Sequence, residues 1–345
     1  MGDLFYDYDY VAEDIEDLSK WINENNLVTI VNMEGAVKYD KGTPIKKRGP
    51  NLASDKAIID VLKKLNTVGV CLANNHTMDF DSAALSNTVK LLDKNGIKHC
   101  GAGENLIKAL EPMRLDIDGE RLAVLNFGWD IEETVYASDN SAGCAPRDEK
   151  IIMENIKNLS KSGERVIVCL HWGFEYNRLP MPYDISLAHK IIDGGAELVI
   201  GHHPHCVQPF ENYSGKYIYY SLGNFYFAGR RLRFKKEFSE SITNQSDYGA
   251  MVVYDTISRE KENYLINYNR EKEKSEVLPC RDDKILENIS GIDYESPKYL
   301  KDVYSRKLNI NPVLTLDESR NDREIKKLFM KYEMKRKIKK LLGRG

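Results

Sequence analysis

Short apolar runs alternate with amphipathic stretches over the first two thirds of the chain. The runs are rich in β-branched residues and stay apolar at consecutive positions, which is typical of strands that are buried on both faces. Six runs are predicted to be strands, at residues 27–33, 68–73, 121–127, 165–170, 197–200 and 217–222.

The stretches between these runs have helical spacing. Residues 81–98, "DSAALSNTVKLLDKNGIK", contain a helix-terminating glycine, Gly96, near their end, and residues 148–163 and 183–196 show the same pattern. Alternating strands and helices predict an α/β domain in which helices cover layered sheets.

The pattern changes after about residue 229. Two segments with polar outer faces, "YGAMVVYDTI" (248–257) and "ENYLINYNRE" (262–271), predict an antiparallel pair of strands. Signals are weak over 281–322, which we interpret as an irregular extension of a domain spanning 1–280. Residues 323–345 predict a helix whose apolar positions form an interrupted stripe.

Composition and charge narrow the classes of function. The 345 residues are 42% hydrophobic and 30% charged, as in soluble globular proteins, and a net charge of −3 argues against a nucleic-acid partner. The C-terminal helix carries ten basic residues against two acidic ones. It either packs on the domain through its apolar stripe or attaches peripherally to anionic lipid.

Several features favour a cytoplasmic location. No run approaches the roughly 18 apolar residues expected of a membrane span. The acidic start, "MGDLFYDYDYVAEDIED", does not resemble a signal peptide, and the six cysteines are scattered without a CxxC pair. We therefore expect a reducing compartment, with the inner face of the membrane as the place of any lipid contact.

Side chains of the metal-ligand type follow most of the predicted strands. Because the carboxyl ends of sheet strands form the edge where ligands bind, we expect these side chains to converge. Histidine, carboxylate and amide groups suit a divalent cation. The residues at these strand ends are Glu34, Asn75, His76, Asp79, His171, Glu175, His203, His205 and Asn224.

The segment "GHHPH" (201–205) contains three of the seven histidines. Pro204 favours an extended conformation at His203, so His203 and His205 are predicted to lie on one side of an extended segment. Such a pair ligates either two adjacent metals or one metal whose shell other loops complete. Gly201 is expected to supply the turn out of the strand, and His202 receives no role.

Taken singly, these residues have ordinary structural explanations. Glu34 suits a strand-end cap, His171 a core position, and His76 with Asp79 a local hydrogen bond. Asp3 lies near a terminus, where fraying is common. The ordinary explanations would all have to hold at one edge of one sheet, so convergence favours a metal site.

Six motifs together resemble a known family. They are "GD" (2–3), "NMEG" (32–35), "LANNHTMD" (72–79), "HWGFEY" (171–176), "GHHPHCVQPFE" (201–211) and "YSLGNF" (220–225). The set is similar to the CapA family of bacterial capsule synthesis, associated with poly-γ-glutamate, which itself resembles the calcineurin-like metallophosphoesterases. The resemblance covers residues 1 to about 228. It implies a four-layer α/β/β/α sandwich with a two-metal site. The basic C-terminal helix is predicted separately, from the residue pattern.

The resemblance also implies roles for individual residues. His76 would face the substrate oxyanion, and Asp79 would orient it. Beside the resemblance, the residues themselves offer candidate substrate contacts. Glu175 would contact either the substrate or a ligand, Arg178 is the nearest downstream cation for an anionic substrate, and Asn224 is a third candidate. The metals would be two divalent ions, from among Mn, Zn, Fe and Mg. The implied metal ligands are Asp3, Glu34, Asn75, His171, His203 and His205.

Two departures from the phosphoesterase pattern bear on the site. The signature Asp-x-His is absent, because Asp3 is followed by Leu4 and Phe5, so one metal position loses an imidazole. Glu34 replaces the bridging aspartate and would alter the metal spacing. The chain also begins at the first motif, so we expect either a truncated start or a poorly anchored Asp3.

These observations predict a metal-dependent hydrolase that cleaves phosphoesters in an envelope or capsule polymer or its precursor. Its partner would be an anionic polymer or a phosphorylated precursor. One alternative is a non-hydrolytic, metal-binding component of a capsule or poly-γ-glutamate synthesis assembly. Another is an amide hydrolase acting on γ-glutamyl polymer, because a metal-activated water also attacks carbonyl carbon.

Overall fold

A computed structural model gives the architecture of the chain. It describes residues 1–7, 15–47, 50–129, 134–228, 248–269, 274–279 and 286–308. The predicted C-terminal helix, 323–345, lies outside the described residues, so its two interpretations stay predictions.

The first large sheet is parallel and has five strands. They are β1 (Asp3–Tyr6), β2 (Thr29–Met33), β5 (Thr67–Cys71), β6 (Lys98–Cys100) and β15 (Asn224–Ala228), in the order β15-β1-β2-β5-β6. β1 pairs in parallel with both β15 and β2, so the amino-terminal strand lies inside the sheet and not at its edge.

The second large sheet has six strands. They are β8 (Met113–Ile117), β9 (Glu120–Gly128), β11 (Arg165–His171), β12 (Ala196–His202), β13 (Phe210–Tyr213) and β14 (Lys216–Tyr219), in the order β13-β14-β12-β11-β9-β8. The central four strands run parallel, and the edge strands β8 and β13 are antiparallel to their neighbours.

Seven helices are described. They are α1 (Glu16–Glu24), α2 (Ile58–Lys64), α3 (Asp81–Lys94), α4 (Leu106–Ala109), α5 (Glu149–Lys161), α6 (Pro182–Asp193) and α7 (Pro297–Leu308). α5 begins where the Asp148 side chain accepts hydrogen bonds from the backbone N–H groups of Lys150 and Ile151, which satisfies two otherwise orphaned donors. No described helix is long and apolar enough to cross a membrane.

Smaller sheets complete the structure. The short pairs are β3 (Ala36–Val37) with β4 (Ala53–Ser54), and β7 (Ala102–Gly103) with β10 (Gly143–Cys144). A three-stranded antiparallel sheet consists of β16 (Tyr248–Tyr254), β17 (Lys261–Asn269) and β18 (Lys274–Pro279). β16 and β17 confirm the predicted antiparallel pair, and β18 was not predicted.

The buried side chains form three layers of core between four layers of structure. In β11, Val166 and Val168 pack toward α5 and α6, whereas Ile167 and Cys169 pack between the two large sheets. A further cluster joins the outer face of the first sheet to α1, α2 and α3. The predicted four-layer α/β/β/α sandwich is therefore confirmed, and alternate burial on both faces explains the continuous apolar runs.

Some element boundaries differ from the sequence prediction. The strand predicted at 217–222 ends at Tyr219, and the stretch after it leads directly into β15. The extension predicted to be irregular contains α7, whose Tyr299 and Val303 are buried in the helix-side core. The hydroxyl of Tyr299 donates to the carbonyl of Pro180 at 2.8 Å, so tertiary packing holds a helix whose own sequence signal is weak.

Candidate metal centre

Asp3 stands where β1 is flanked by β15 and β2. Its side chain is fully buried, and Asn32 donates its Nδ2–H to Asp3 Oδ1 at 2.9 Å. The backbone N–H of His203 approaches Asp3 Oδ2 at 3.3 Å. The expectation of a poorly anchored Asp3 is therefore wrong, because strand pairing on both sides and two donors hold it.

Glu34 is the first residue after β2 and is also fully buried. Its backbone N–H donates to the Leu4 carbonyl at 2.9 Å, which holds it beside β1. Gly35 follows with φ +90°, a conformation that glycine adopts without strain, and a Cβ there would lie 2.9 Å from the Leu52 carbonyl oxygen. The chain thus turns away sharply and leaves the Glu34 carboxylate inside.

Asp3, Glu34 and His205 form one compact group. Each offers a ligand atom, and these atoms all lie within 4.8 Å of one another. His205 Nε2 is 3.5 Å from Glu34 Oε1, and His205 Nδ1 is 3.7 Å from Asp3 Oδ2. Two carboxylates and an imidazole are an oxygen and nitrogen ligand set for a divalent cation.

A second group of ligand-type side chains consists of Asn75, His171 and His203. Asn75 follows β5, His171 ends β11, and His203 follows β12. His171 Nε2 is 2.9 Å from Asn75 Oδ1, and the rings of His171 and His203 have centroids 4.8 Å apart. Both sheets therefore contribute ligand-type side chains to one place.

Unsatisfied polar atoms mark this second group. Among the described residues, no hydrogen-bond partner meets either ring nitrogen of His203, or Nδ1 of His171, and both residues are fully buried. Buried polar groups are otherwise nearly always paired, since an unpaired one costs about 1–3 kcal/mol. Buried imidazole nitrogens without hydrogen-bond partners fit a site that holds cations.

The protonation states support the same assignment. Burial, together with the nearby His205, lowers the pKa of His203 to about 3. Burial also lowers the pKa of His171 well below its ordinary value. Both rings are therefore neutral at physiological pH, which is the state that binds metals.

His205 has the opposite balance. Burial disfavours its charged form, but the carboxylates of Glu34 and Asp3 outweigh that effect and raise the pKa of His205 to about 9. In the absence of a metal, a proton on His205 thus offsets part of the buried negative charge. Metal binding through this ring would release that proton.

His76 and Asp79 form a tight pair beside the carboxylates. His76 Nδ1 lies 2.6 Å from Asp79 Oδ2, and His76 Nε2 faces Glu34 Oε1 at 3.8 Å. Asp79 is fully buried and His76 nearly so, and burial lowers the pKa of His76 to about 4. The two side chains that the sequence analysis paired are thus in contact, and the roles predicted for them stay predictions.

A match to a protein family accompanies this geometry. Residues 2–229 match the model of the bacterial capsule synthesis protein PGA_cap, which covers more than half of the chain. The chain belongs to the PGA_cap family. The resemblance on which the sequence prediction rested is confirmed.

Two named bacterial proteins are similar to this chain. The PGA biosynthesis protein CapA of Bacillus subtilis is 34% identical over 197 residues, which are 57% of this chain and 52% of that protein. The capsule biosynthesis protein CapA of Bacillus anthracis is 29% identical over 228 residues, covering 64% and 54%. The chain spans about half the length of these two relatives.

Two solved structures align over most of the chain. The sulfate thiohydrolase SoxB of Thermus thermophilus in complex with glycerol has a TM-score of 0.40 at 13% identity, over 84% of this chain and 45% of that one. The 5'-nucleotidase precursor of the same species has a TM-score of 0.35 at 14% identity, over 76% and 46%. Likenesses of this size carry no argument about activity or substrate.

The loop after β12, which carries His203 and His205, is not extended. His203 has φ +97° and His205 has φ +53°, so the prediction of an extended segment around Pro204 is wrong. The hydrogen bond from Tyr176 N–H to the Pro204 carbonyl (2.6 Å) and the contact of His203 N–H with Asp3 hold the loop folded. Positive φ at two non-glycine residues costs free energy and is typical of functional sites.

His202 and Gly201 have roles that sequence reasoning missed. His202 Nδ1 lies 3.3 Å from Asp3 Oδ1, so this buried histidine contacts the first carboxylate from the end of β12. Gly201 lies inside β12 and does not make a turn. A Cβ there would overlap the carbonyl oxygen of Tyr220 and the indole of Trp172, so close approach is what requires glycine.

The three predicted substrate contacts have different surroundings. Glu175 is partly exposed, and its Oε1 lies 4.0 Å from His205 Nε2, at the mouth of the centre. Asn224 begins β15 and its Oδ1 is 2.8 Å from His205 Nδ1, which makes it a partner of the ring. Arg178 is half-buried, and among the described residues no ion pair joins it to a carboxylate.

Lys47 is the largest omission from the sequence prediction. Its side chain is 1% exposed, and its Nζ lies 2.6 Å from Asp79 Oδ1 and 3.2 Å from His76 Nδ1. The run "GTPIKK" that contains it looks like an exposed polar loop, because lysine is rarely buried. Only the tertiary structure shows that one of the two adjacent lysines points inward.

Proposed function

We propose that this chain is a metal-dependent hydrolase that cleaves phosphoester bonds in an envelope or capsule polymer or in its precursor. One observation carries the proposal. Two buried carboxylates, several neutral or orphaned imidazoles and the His76–Asp79 pair converge where the strands of both sheets end.

The ligand groups would suit two divalent ions, with Glu34 among the residues that would hold them. Asp3 and His205 would hold the first, and the remaining ligands are Asn75, His171 and His203. When bound, a pair of divalent cations supplies Lewis acidity and a strong nucleophile from water at neutral pH. Phe5 stands where the Asp-x-His signature would place a histidine. A different histidine, His202, lies beside Asp3 instead.

The chain's own groups would act around that centre. His76 would hold or move a proton at its Nε2 beside the leaving or non-bridging oxygen, and Asp79 accepts from Nδ1 to keep the ring oriented. Glu175 at the mouth and Arg178 nearby would meet the substrate outside the buried ligands. Arg178 is the group suited to an anionic portion of the substrate.

The relatives' names support the class of substrate. Two are named for PGA or capsule biosynthesis, and a Mycobacterium tuberculosis protein, 32% identical over 167 residues, is named a probable polyglutamine synthesis accessory protein. We infer that the partner of this chain is an anionic polymer or its phosphorylated precursor. These names also favour the second candidate, hydrolysis of γ-glutamyl amides at the same site.

A substrate panel tests the proposal. The purified chain, loaded separately with Mn²⁺, Zn²⁺, Fe²⁺ and Mg²⁺, is assayed against p-nitrophenyl phosphate, bis-p-nitrophenyl phosphate and γ-glutamyl p-nitroanilide. We expect phosphoester hydrolysis that a chelator abolishes. Release of nitroaniline alone would establish the amide hydrolase in its place.

Variants separate catalysis from binding. His76→Ala is expected to lower kcat by about 10²- to 10⁴-fold while metal content stays at the wild-type level. His99→Ala is the matched control, because His99 lies on β6 with its Nε2 paired to Asp93 at 3.4 Å, outside the centre. A metal-loaded chain that hydrolyses nothing in the panel would point to the non-hydrolytic component.

A further inference from the structure

Lys47 is a buried cation at the edge of the candidate centre. It lies in the loop between β3 and β4, and its ammonium group donates to Asp79 Oδ1 at 2.6 Å and to the Asn75 carbonyl at 2.9 Å. Its neighbour Lys46 is exposed. Burying an ammonium group is costly unless it is paired, so these contacts are specific.

The carboxylate of Asp79 is fully committed by its partners. Oδ1 accepts from Lys47, and Oδ2 accepts from the backbone N–H of Leu52 at 2.7 Å and contacts His76 Nδ1 at 2.6 Å. Rotation of the carboxylate would break three short contacts at once. Lys47, through its contact with Oδ1, therefore helps to fix the direction in which Asp79 presents Oδ2 to His76.

This arrangement bears on which nitrogen of His76 carries a proton. Nδ1 has an acceptor, Asp79 Oδ2, at 2.6 Å and a competing donor, the Lys47 ammonium, at 3.2 Å. The shorter contact needs a proton between the two atoms, which places hydrogen on Nδ1. Nε2 is then left to face the centre, where Glu34 lies 3.8 Å away.

Anchoring the loop does not by itself require Lys47. The backbone N–H of Ile45 donates to the Asp79 carbonyl at 2.9 Å, and Asn51 Nδ2 donates to the same carbonyl at 3.0 Å. The backbone N–H of Thr43 donates to Asp81 Oδ2 at 2.9 Å. These hydrogen bonds hold the loop without Lys47. The contacts of the Lys47 ammonium group are therefore not needed to anchor the loop.

We propose that Lys47 is a positioning residue that, by pairing with Asp79, holds His76 in the form with hydrogen on Nδ1 and with Nε2 directed at the reacting group. The kinetic part of this inference rests on the proposed hydrolase function, whereas the position of the proton does not. Lys47 thereby extends the His76–Asp79 pair to a chain of three groups.

Selective ¹⁵N labelling of histidine tests the position of the proton directly. The seven histidines give few enough signals for the full chain, and His76→Gln assigns the relevant pair. Spectra are recorded for the wild type, Lys47→Met and Lys46→Met, each metal-free and loaded with Zn²⁺. We expect hydrogen on Nδ1 of His76 in the wild type and in Lys46→Met, and a mixed population in Lys47→Met.

Kinetics on the phosphoester that the wild type cleaves give a second readout. Lys47→Met is expected to lower kcat by about 10- to 100-fold with KM nearly unchanged, as for other groups that orient a site residue. In a His76→Ala background the same substitution should have no further effect, because its role passes through that ring. Lys47→Arg should restore most of the rate.

The outcomes separate the two proposals. An unchanged His76 spectrum in Lys47→Met overturns the positioning role, whether or not the chain hydrolyses anything. A shifted spectrum in a chain without activity supports the positioning role and counts against the hydrolase. If Lys47→Met does not fold, Lys47→Gln replaces it, and an unshifted His76 population there overturns the inference.

Discussion

Among the described residues, two clusters of histidine and carboxylate are built differently. One is the saturated cluster of His189, Glu211, Tyr213 and Tyr220, and the other is the candidate metal centre. In the first, on the far side of the second sheet, His189 Nε2 lies 3.0 Å from both oxygens of Glu211, and the hydroxyl of Tyr220 donates to Glu211 at 2.6 Å. The His189 ring stacks on Tyr213 with centroids 3.8 Å apart. Its charged and polar groups find protein partners.

The second cluster is the candidate metal centre, where neither ring nitrogen of His203 has a partner among the described residues. Residue types are similar in the two clusters, but the His189 side chain is 17% exposed whereas His203 is fully buried. The clusters also differ in whether their polar atoms have hydrogen-bond partners, which the buried ring nitrogens of His203 lack in the described part of the chain. A protein that leaves buried imidazoles unpaired gives up stability, and a cation that binds there recovers it.

The largest expected effect distinguishes the clusters by activity. His76→Ala should lower kcat for phosphoester hydrolysis by about 10²- to 10⁴-fold, because it removes the proposed proton-transfer group. His189→Ala should leave kcat within about twofold, since the saturated cluster lies outside the centre. Steady-state assays measure kcat of both variants at equal metal content. Equal losses of kcat would contradict the distinction between the two clusters.

Metal affinity gives the next largest effect. His203→Ala should weaken binding of Zn²⁺ or Mn²⁺ by at least about 100-fold, because a ligand is lost outright. His189→Ala should bind as tightly as the wild type. Isothermal titration of the metal-free chains measures both constants. Unaltered affinity in His203→Ala would show that the orphaned ring serves some other purpose.

The pH dependence of stability follows from the shifted histidines of the metal-free chain. His203 and His76, with pKa values lowered to about 3 and about 4, stay neutral in the fold but charge in the unfolded chain. Stability should therefore fall as the pH drops below about 6.5, by about 1.4 kcal/mol per pH unit for each such group.

His205 acts in the opposite direction. Its pKa, raised to about 9, contributes stability that is fully present below about pH 6.5 and is lost as the pH rises toward 9. Denaturant unfolding of the metal-free chain from pH 4 to 9.5 should thus show a maximum near pH 6.5. The same curve in His205→Gln should lack the alkaline decline, and its persistence there would contradict the assignment.

The smallest expected effect concerns stability in the saturated cluster. His189→Ala should lower the free energy of unfolding by about 2 kcal/mol, because it removes a hydrogen-bond partner of the buried Glu211 carboxylate. His203→Ala in the metal-free chain should cost less, since no hydrogen bond is lost. Chelator-treated samples in urea give both values. A larger loss of unfolding free energy in His203→Ala than in His189→Ala would contradict the assignment of the unpaired ring to His203.

Much of the fold could be predicted from the chain because its apolar runs are long and regular. The candidate ligand positions follow from the same pattern, since parallel strands deliver their carboxyl ends to a common edge. Asn75, His171 and His203 were predicted in this way, and the structure brings them together.

The rest depended on contacts between distant segments. Proline chemistry predicts extended backbone at His203, but the hydrogen bond to Pro204 from Tyr176 and the contact with Asp3 override it. Lys47 sits in a polar run whose local pattern predicts solvent exposure. Its burial becomes evident only once the β3–β4 loop is folded against Asp79.

Metal analysis of the purified chain tests the central claim most directly. Elemental analysis after loading and desalting should find about two divalent ions per chain in the wild type and a loss of at least one in Asp3→Ala, with His99→Ala unchanged. A wild-type chain that retains no metal, or an Asp3→Ala chain that retains the full amount, would contradict the account.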